Sequence, residues 1–258
     1  VFNINPGTAP SEPVNLTVIN DQLFFRATHA AYGDELWVSD GTAANTRLVK
    51  DINPTVSSTP TDLTPYQSTL FFTADDGEHG RELWLSDGSE AGTILVMDIN
   101  PGPDESGVNK VTAGDEGIFF TANDALAGFE LWKSDGSLAG TVMVKDINPG
   151  LASGNPSSLT WINGQLFFSA VDGLIGRELW RSDGSEPGTR LIKDINPGTA
   201  SSTPVEFSTA NQAVTFRADD GVHGVELWIS NGFADGTLLL YDINPGLADS
   251  NPGYVQIA

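Results

Sequence analysis

The chain contains no cysteine, 2 methionines and 3 histidines, and it sets only 12 Lys and Arg against 34 Asp and Glu. Without cysteine there are no disulfides, thiolate zinc sites or cysteine nucleophiles. The scarcity of basic residues leaves a formal charge of −22 and a pI near 4.1. No surface of this chain can replace the counterions of a phosphate backbone, which excludes nucleic acid as a partner. Long apolar runs are missing too. The longest, Thr93 to Met97 and Thr237 to Tyr241, have the length of strands and fall far short of the roughly 18–20 residues of a membrane span, so no membrane insertion is expected. Gly-x-Ser-x-Gly, P-loop and His-Glu-x-x-His patterns are absent, and three histidines leave little acid–base chemistry near neutral pH; on sequence alone the protein is not expected to be an enzyme.

What is present is apolar, aromatic and turn-rich. Of 258 residues, 13 are Phe, 6 are Trp, 28 are Gly and 15 are Pro, a composition that folds and does not stay a solvated coil. The chain opens at Val1 without a Met or a charged-then-apolar leader, as expected of a processed product or an excised fragment. Self-similarity dominates the rest. Glu-Leu-Trp ends at Trp37, Trp84, Trp132, Trp180 and Trp228, and Asp-Ile-Asn-Pro recurs from Asp51, Asp98, Asp146, Asp194 and Asp242, with Asn3-Ile4-Asn5-Pro6-Gly7 as an altered sixth copy.

Each period of 47 or 48 residues reads as four short strands. In the fourth copy, Asn163-Gly164 separates two apolar runs, a strong two-residue hairpin signal. Asn20-Asp21, Gln67-Ser68, Asp115-Glu116 and Asn211-Gln212 fill the same turn slot. No segment has helical period over ten residues. The expected fold is all-β, a five-bladed β-propeller with four antiparallel strands per blade. It is expected to be a single domain over 1–258, with blades at about 14–52, 61–99, 108–147, 156–195 and 204–243 and overlap segments 1–13 and 244–258. A linear β-solenoid is the alternative.

The loop between third and fourth strands carries Asp40, Asp87, Asp135 and Asp183, with Asn231 in the last copy, as starters of an Asx turn. Gly92, Gly140, Gly188 and Gly236 share one slot with Asn45, which suggests a left-handed backbone there. The run Glu82-Leu83-Trp84-Leu85-Ser86-Asp87-Gly88-Ser89, followed by Gly92-Thr93 and Asp98-Ile99-Asn100-Pro101-Gly102, resembles the ELWxxDGT, or hyalin-like, repeat family of bacterial surface and secreted proteins. The resemblance covers essentially the whole chain. It implies a propeller-like array outside the cytoplasm, on the bacterial surface or secreted, and brings no catalytic residues with it. Blade one departs from the pattern at Thr28-His29-Ala30-Ala31-Tyr32-Gly33, which lacks the paired Asp seen at Asp75-Asp76 and Asp219-Asp220.

Chemistry is expected in the loops between second and third strands. Asp75, Asp76, Asp124, Asp172, Asp219 and Asp220 supply the hard oxygen ligands that suit calcium, and equally the turn formers of such loops. Asp and Asn of Asp-Ile-Asn-Pro suit backbone bonding where the chain crosses between blades. Glu35, Glu82, Glu130, Glu178 and Glu226 stand two residues before a Trp, on the same strand face, and suit an inter-blade hydrogen-bonding device. Residues that the repeat does not dictate are the ligand candidates: Trp161, His29, Tyr32, His79, Phe129 and His223. Trp161 reads either as channel packing or, with the other aromatics, as a sugar platform.

These readings converge on an extracellular binding or adhesion module, lectin-like and multivalent, for cell-surface glycans or surface proteins. A structural surface-layer or filament-coating domain without small ligand is the alternative, and a propeller glycosidase a second, which near-identical blades disfavour because acid and base must sit in unequal environments. Because Val1 to Gly7 repeats Leu240 to Gly246, and Tyr254 to Ile257 repeats Asn15 to Val18, both ends are expected to be spare strands. Such strands pair across an edge, dock on a blade or join another chain. Self-assembly through the termini is expected, and deletion of Val1 to Asn5 is expected to weaken it without unfolding the chain.

Overall fold

The computed structural model describes residues 2–250 and 252. Tyr254 to Ile257, read as a spare inner strand, lie outside the described residues. The protein is all-β, with five four-stranded antiparallel sheets, the blade architecture of a β-propeller, and a single-turn 3-10 helix at Ala234–Gly236. The first blade is β1 (Val14–Ile19), β2 (Gln22–His29), β3 (Gly33–Ser39) and β4 (Arg47–Lys50). The second is β5 (Thr61–Tyr66), β6 (Thr69–Asp75), β7 (Arg81–Ser86) and β8 (Ile94–Met97), and the third β9 (Asn109–Ala113), β10 (Ile118–Asn123), β11 (Phe129–Ser134) and β12 (Val142–Lys145). The fourth is β13 (Ser157–Ile162), β14 (Gln165–Ala170), β15 (Glu178–Ser182) and β16 (Arg190–Lys193), and the fifth β17 (Val205–Ala210), β18 (Ala213–Asp219), β19 (Val225–Ser230) and β20 (Leu238–Tyr241). Strands follow chain order in every sheet.

The chain divides into two compact units. One comprises Val1–Ala113, Ala122–Ala125 and Ser134–Thr141; the other comprises Gly114–Thr121, Leu126–Lys133 and Val142–Ala258. In the first unit, β2 and β3 pair without a break from Leu23↔Ser39 to His29↔Gly33. Phe25, Ala27 and Trp37 therefore share one face of the sheet, and Phe24, Leu36 and Val38 the other. The second face packs, with Ile19, Val49 and Ile52, against Leu70, Phe72, Ala74 and Trp84 of blade two. The second unit repeats this: Ile162, Phe167, Leu179, Ile192 and Ile195 of blade four meet Val214, Phe216, Ala218 and Trp228 of blade five. All five Glu-Leu-Trp tryptophans are buried. Within each unit, the apolar contact between these sheets, at roughly 2–3 kcal/mol for each large side chain removed from water, holds the paired blades together.

The turn chemistry is what the residues dictate. Asn20 and Asp21 have φ 49° and 61°, and Asn163 and Gly164 have φ 51° and 74°, the two left-handed positions of a type I′ hairpin. In the loop between third and fourth strands, Asp87 Oδ1 accepts the Ser89 N–H (2.8 Å) and hydroxyl (2.7 Å), while the Ser86 and Thr93 hydroxyls pair at 2.7 Å beneath it. One expectation is corrected here. Gly92, Gly140, Gly188, Gly236 and Asn45 are not in the left-handed region. Glycine is needed because any Cβ at Gly92 would run into the Asp87 carboxylate; in blade one, Asn45 Nδ2 instead donates to Asp40 Oδ2 at 2.6 Å.

The N-terminal copy of Asp-Ile-Asn-Pro docks on blade one. Ile4 is 9% exposed and packs against Phe25, Ala27 and Trp37, with Leu23 and Leu48 at the margin. Asn5 Oδ1 accepts the Ala30 N–H at 3.0 Å, and its Nδ2 donates to the Pro10 carbonyl.

Candidate functional site

Each connector between blades is held by the buried Glu of the preceding Glu-Leu-Trp. Glu82 accepts the Ile99 N–H (3.2 Å), the Ser106 N–H (2.9 Å) and the Ser106 hydroxyl (2.6 Å). Glu35, Glu178 and Glu226 make the same three bonds to Ile52 and Ser58, Ile195 and Ser202, and Ile243 and Ser250. Glu130 differs. Gly154 stands where the other connectors have Ser, so Glu130 accepts only backbone N–H groups, from Ile147, Asn148 and Gly154. Burial pushes Glu35, Glu82 and Glu130 up to about 7, outweighing the hydrogen bonds that favour the anion, and raises Glu178 for the same reason. The arrangement does what the sequence suggests for these carboxylates: it pins the crossing chain.

The connector Asn carries the second-to-third-strand loop of the following blade. Asn53 lies under Gly77, Asn148 under Gly173 and Asn196 under Gly221; a Cβ would collide with the amide at Gly173 and Gly221 and press tightly on it at Gly77, and Asn5 supports Ala30 through a hydrogen bond. This support was not legible in the sequence, where Asn and Gly lie more than twenty residues apart.

On this base the loops carry three different arrangements. In blade one, His29 and Tyr32 stack at 4.7 Å with ring planes 24° apart, and His29 lies 6.0 Å from the Trp37 ring. The Ala31 N–H donates to His29 Nδ1 at 3.1 Å, so the neutral ring carries its proton on Nε2. Tyr32 is exposed. In blades two and five, the slots of His29 and Tyr32 hold Asp76 with His79 and Asp220 with His223, paired at 2.8 and 2.7 Å. Burial works against it, yet His79 and the Glu78 and His79 N–H groups hold the Asp76 carboxyl below its ordinary range; Asp220 is lowered alike through His223. Bonding to these carboxylates raises both histidines, and their half-exposed rings stay protonated above the ordinary imidazole range. Blades three and four put Ala127 and Ile175 in the slot.

The other expected site residues fall as follows. Asp75 and Asp219 accept the Gly77 and Gly221 N–H groups at 2.7 Å, and Asp172 accepts those of Leu174 and Ile175. Asp124 lies in the corresponding loop of blade three. Among the described residues no three His, Asp or Glu side chains converge to hold a metal ion. Phe129 begins β11, half-buried, its backbone tied to Ser153 and Asn155. Trp161, on β13, stacks on Phe119 at 5.3 Å and donates from Nε1 to Asp115 Oδ1 at 3.0 Å, away from the loops that hold the other candidates. No described helix is long and apolar enough to cross a membrane.

No protein-family model and no curated protein sequence matches the chain. Solved structures do. Puromycin hydrolase has a TM-score of 0.53 at 12% identity over 94% of this chain and 39% of that chain, and a mutant of that hydrolase 0.53 at 14% over 92% and 39%. A chain from an analysis of two prolyl endopeptidases has 0.52 at 11% over 86% and 34%. This chain therefore spans well under half the length of those structures, and the likeness is one of fold. It corrects one expectation. Absent motifs and a repetitive sequence had pointed away from an enzyme, but the fold neighbours are a hydrolase and an endopeptidase, so the fold does not exclude catalysis; at these identities it establishes none.

Proposed function

We propose that the protein is an extracellular or cell-surface binding module that takes surface glycans, or glycan-bearing surface proteins, through the loops between second and third strands. One observation carries this reading: within each repeat the Glu, Trp, Ser, Thr and connector Asn side chains are spent on the fold, while the loop slot above the connector Asn changes from an aromatic stack to an Asp–His pair to an apolar side chain. A position that the architecture does not need, held on a rigid base, is where recognition is built. The exposed Tyr32 ring on His29, with an N–H at His29 Nε2, has the aromatic face and polar edge that sugar rings bind. The resemblance to a family of bacterial surface and secreted proteins supports the location. The test is a glycan array followed by calorimetry with the best binder. Tyr32→Ala is expected to weaken binding about tenfold, the loss of roughly 1.4 kcal/mol of ring contact. Binding unchanged by Tyr32→Ala and His29→Ala, or no binding to any glycan or glycoprotein, refutes the proposal.

A further inference from the structure

Ile4 occupies a seat that recurs in the fold. Its walls are Phe25, Ala27 and Trp37, with Leu48 on the outer strand. The same four residue types receive the connector isoleucine elsewhere: Ile52 meets Phe72, Ala74, Trp84 and Leu95, Ile147 meets Phe168, Ala170, Trp180 and Leu191, and Ile195 meets Phe216, Ala218, Trp228 and Leu239. Residues 2–7 thus act toward blade one as a preceding repeat's connector would.

Blade five ends in the opposite state. Its connector is fully formed, with Glu226 holding Ile243 and Ser250, yet Ile243 is 51% exposed, against 5% for Ile52 and 4% for Ile195. Leu240, in the place of the buried Val49 and Ile192, is 50% exposed. Leu227 is half-buried where Leu36, Leu83, Leu131 and Leu179 are fully buried. A finished connector whose isoleucine is half-exposed among the described residues, and a seat filled by a short copy of that connector, share the sequence Ile-Asn-Pro-Gly.

We infer that the blade-five connector, Asp242 to Gly246, docks into the Trp37 seat of a second copy of this chain, and that residues 2–7 plug that seat in cis. The internal blade contacts supply the model for the interface: same walls, same isoleucine, same Glu clamp behind it. Because the donor and acceptor surfaces are different, the contact is head-to-tail and builds a closed ring or an open filament. Residues 2–7 compete for the seat at the high effective concentration of a tethered segment, so the plugged chain stays single. The expected effect of removing the N-terminal segment is thereby reversed: it opens the seat and promotes assembly.

Sedimentation velocity tests this with the full chain, a form lacking residues 1–7, and that form carrying Ile243→Asp. The full chain is expected at the mass of one chain. The shortened form is expected to gain mass with concentration, to return to one chain when a peptide of residues 1–12 is added, and to lose association with Ile243→Asp. A shortened form that keeps its circular dichroism and stays single at every soluble concentration overturns the inference. So does association that survives Ile243→Asp, or a full chain that associates as strongly as the shortened one. Should the shortened form not fold, Ile4→Ala in the full chain, which keeps the Asn5 hydrogen bonds, is read by the same criteria.

Discussion

Stability should rise as the solution is made mildly acidic, because the connector clamps are carboxyls that hold their protons. Glu35, Glu82 and Glu130 titrate at about 7 in the folded chain against an ordinary value of 4.5. Between those values the folded state binds more protons than the unfolded one, so stability is full below pH 4.5 and falls as pH rises toward 7. The raised His79 and His223 act in the same direction, losing stability as pH rises through their folded values. The lowered carboxyls, Asp40 at about 2 with Asp76, Asp87, Asp183 and Asp220, lose stability only as pH falls below 3.8 and leave the upper window alone. One proton per clamp is worth at most about 1.4 kcal/mol per pH unit. Glu82→Gln places an N–H against the Ser106 or Ile99 donor and costs about 1–3 kcal/mol at every pH. Its slope is the informative quantity: between pH 5 and 7 the variant's melting temperature should fall less steeply than wild type by about 3–6 °C per pH unit. Repulsion among surface charges also weakens the fold as pH rises, so the melts are repeated at about 1 M salt, where a Debye length of ~3 Å screens exposed charges and spares buried ones. A wild-type melting temperature that is flat or rising from pH 5 to 7 refutes the reasoning, as does a Glu82→Gln slope equal to wild type.

Two further outcomes follow from the same geometry. Gly154→Ser restores the residue of the other connectors, yet its Cβ would meet Glu130 Oε2 at 2.7 Å and Ile147 Cβ at 2.9 Å; we expect it to destabilise by about 1–3 kcal/mol, read by urea unfolding, and a stabilised variant would show that the connector relaxes freely. Calcium is proposed as a cation for the acidic loops at the millimolar levels of extracellular modules, so its addition should raise the melting temperature and chelation reverse the gain. An unchanged melt would leave Asp75, Asp76, Asp219 and Asp220 as turn formers.

The strand count, the hairpin turns and the burial of the five tryptophans were written in local pattern: two-residue turns at Asn20-Asp21 and Asn163-Gly164, alternation along each strand, and a strict repeat that gives equivalent residues equivalent places. Whatever depends on residues far apart in the chain was decided by tertiary structure. Gly92 looks like a left-handed glycine until the Asp87 carboxylate is seen lying over it. The left-handed φ of Thr59, Thr203 and Glu206 falls on residues that do not favour it, where the chain passes from the Glu-held connector into the inner strand. The aromatic and His-bearing loops could be singled out from sequence as departures from the repeat, but their support by Asn5, Asn53 and Asn196, each from the preceding connector, could not. Identical Ile-Asn-Pro-Gly segments at positions 4–7 and 243–246 are indistinguishable by sequence; only packing shows that Ile4 leaves water against a Trp, a Phe and a Leu, while Ile243 stays half-exposed among the described residues.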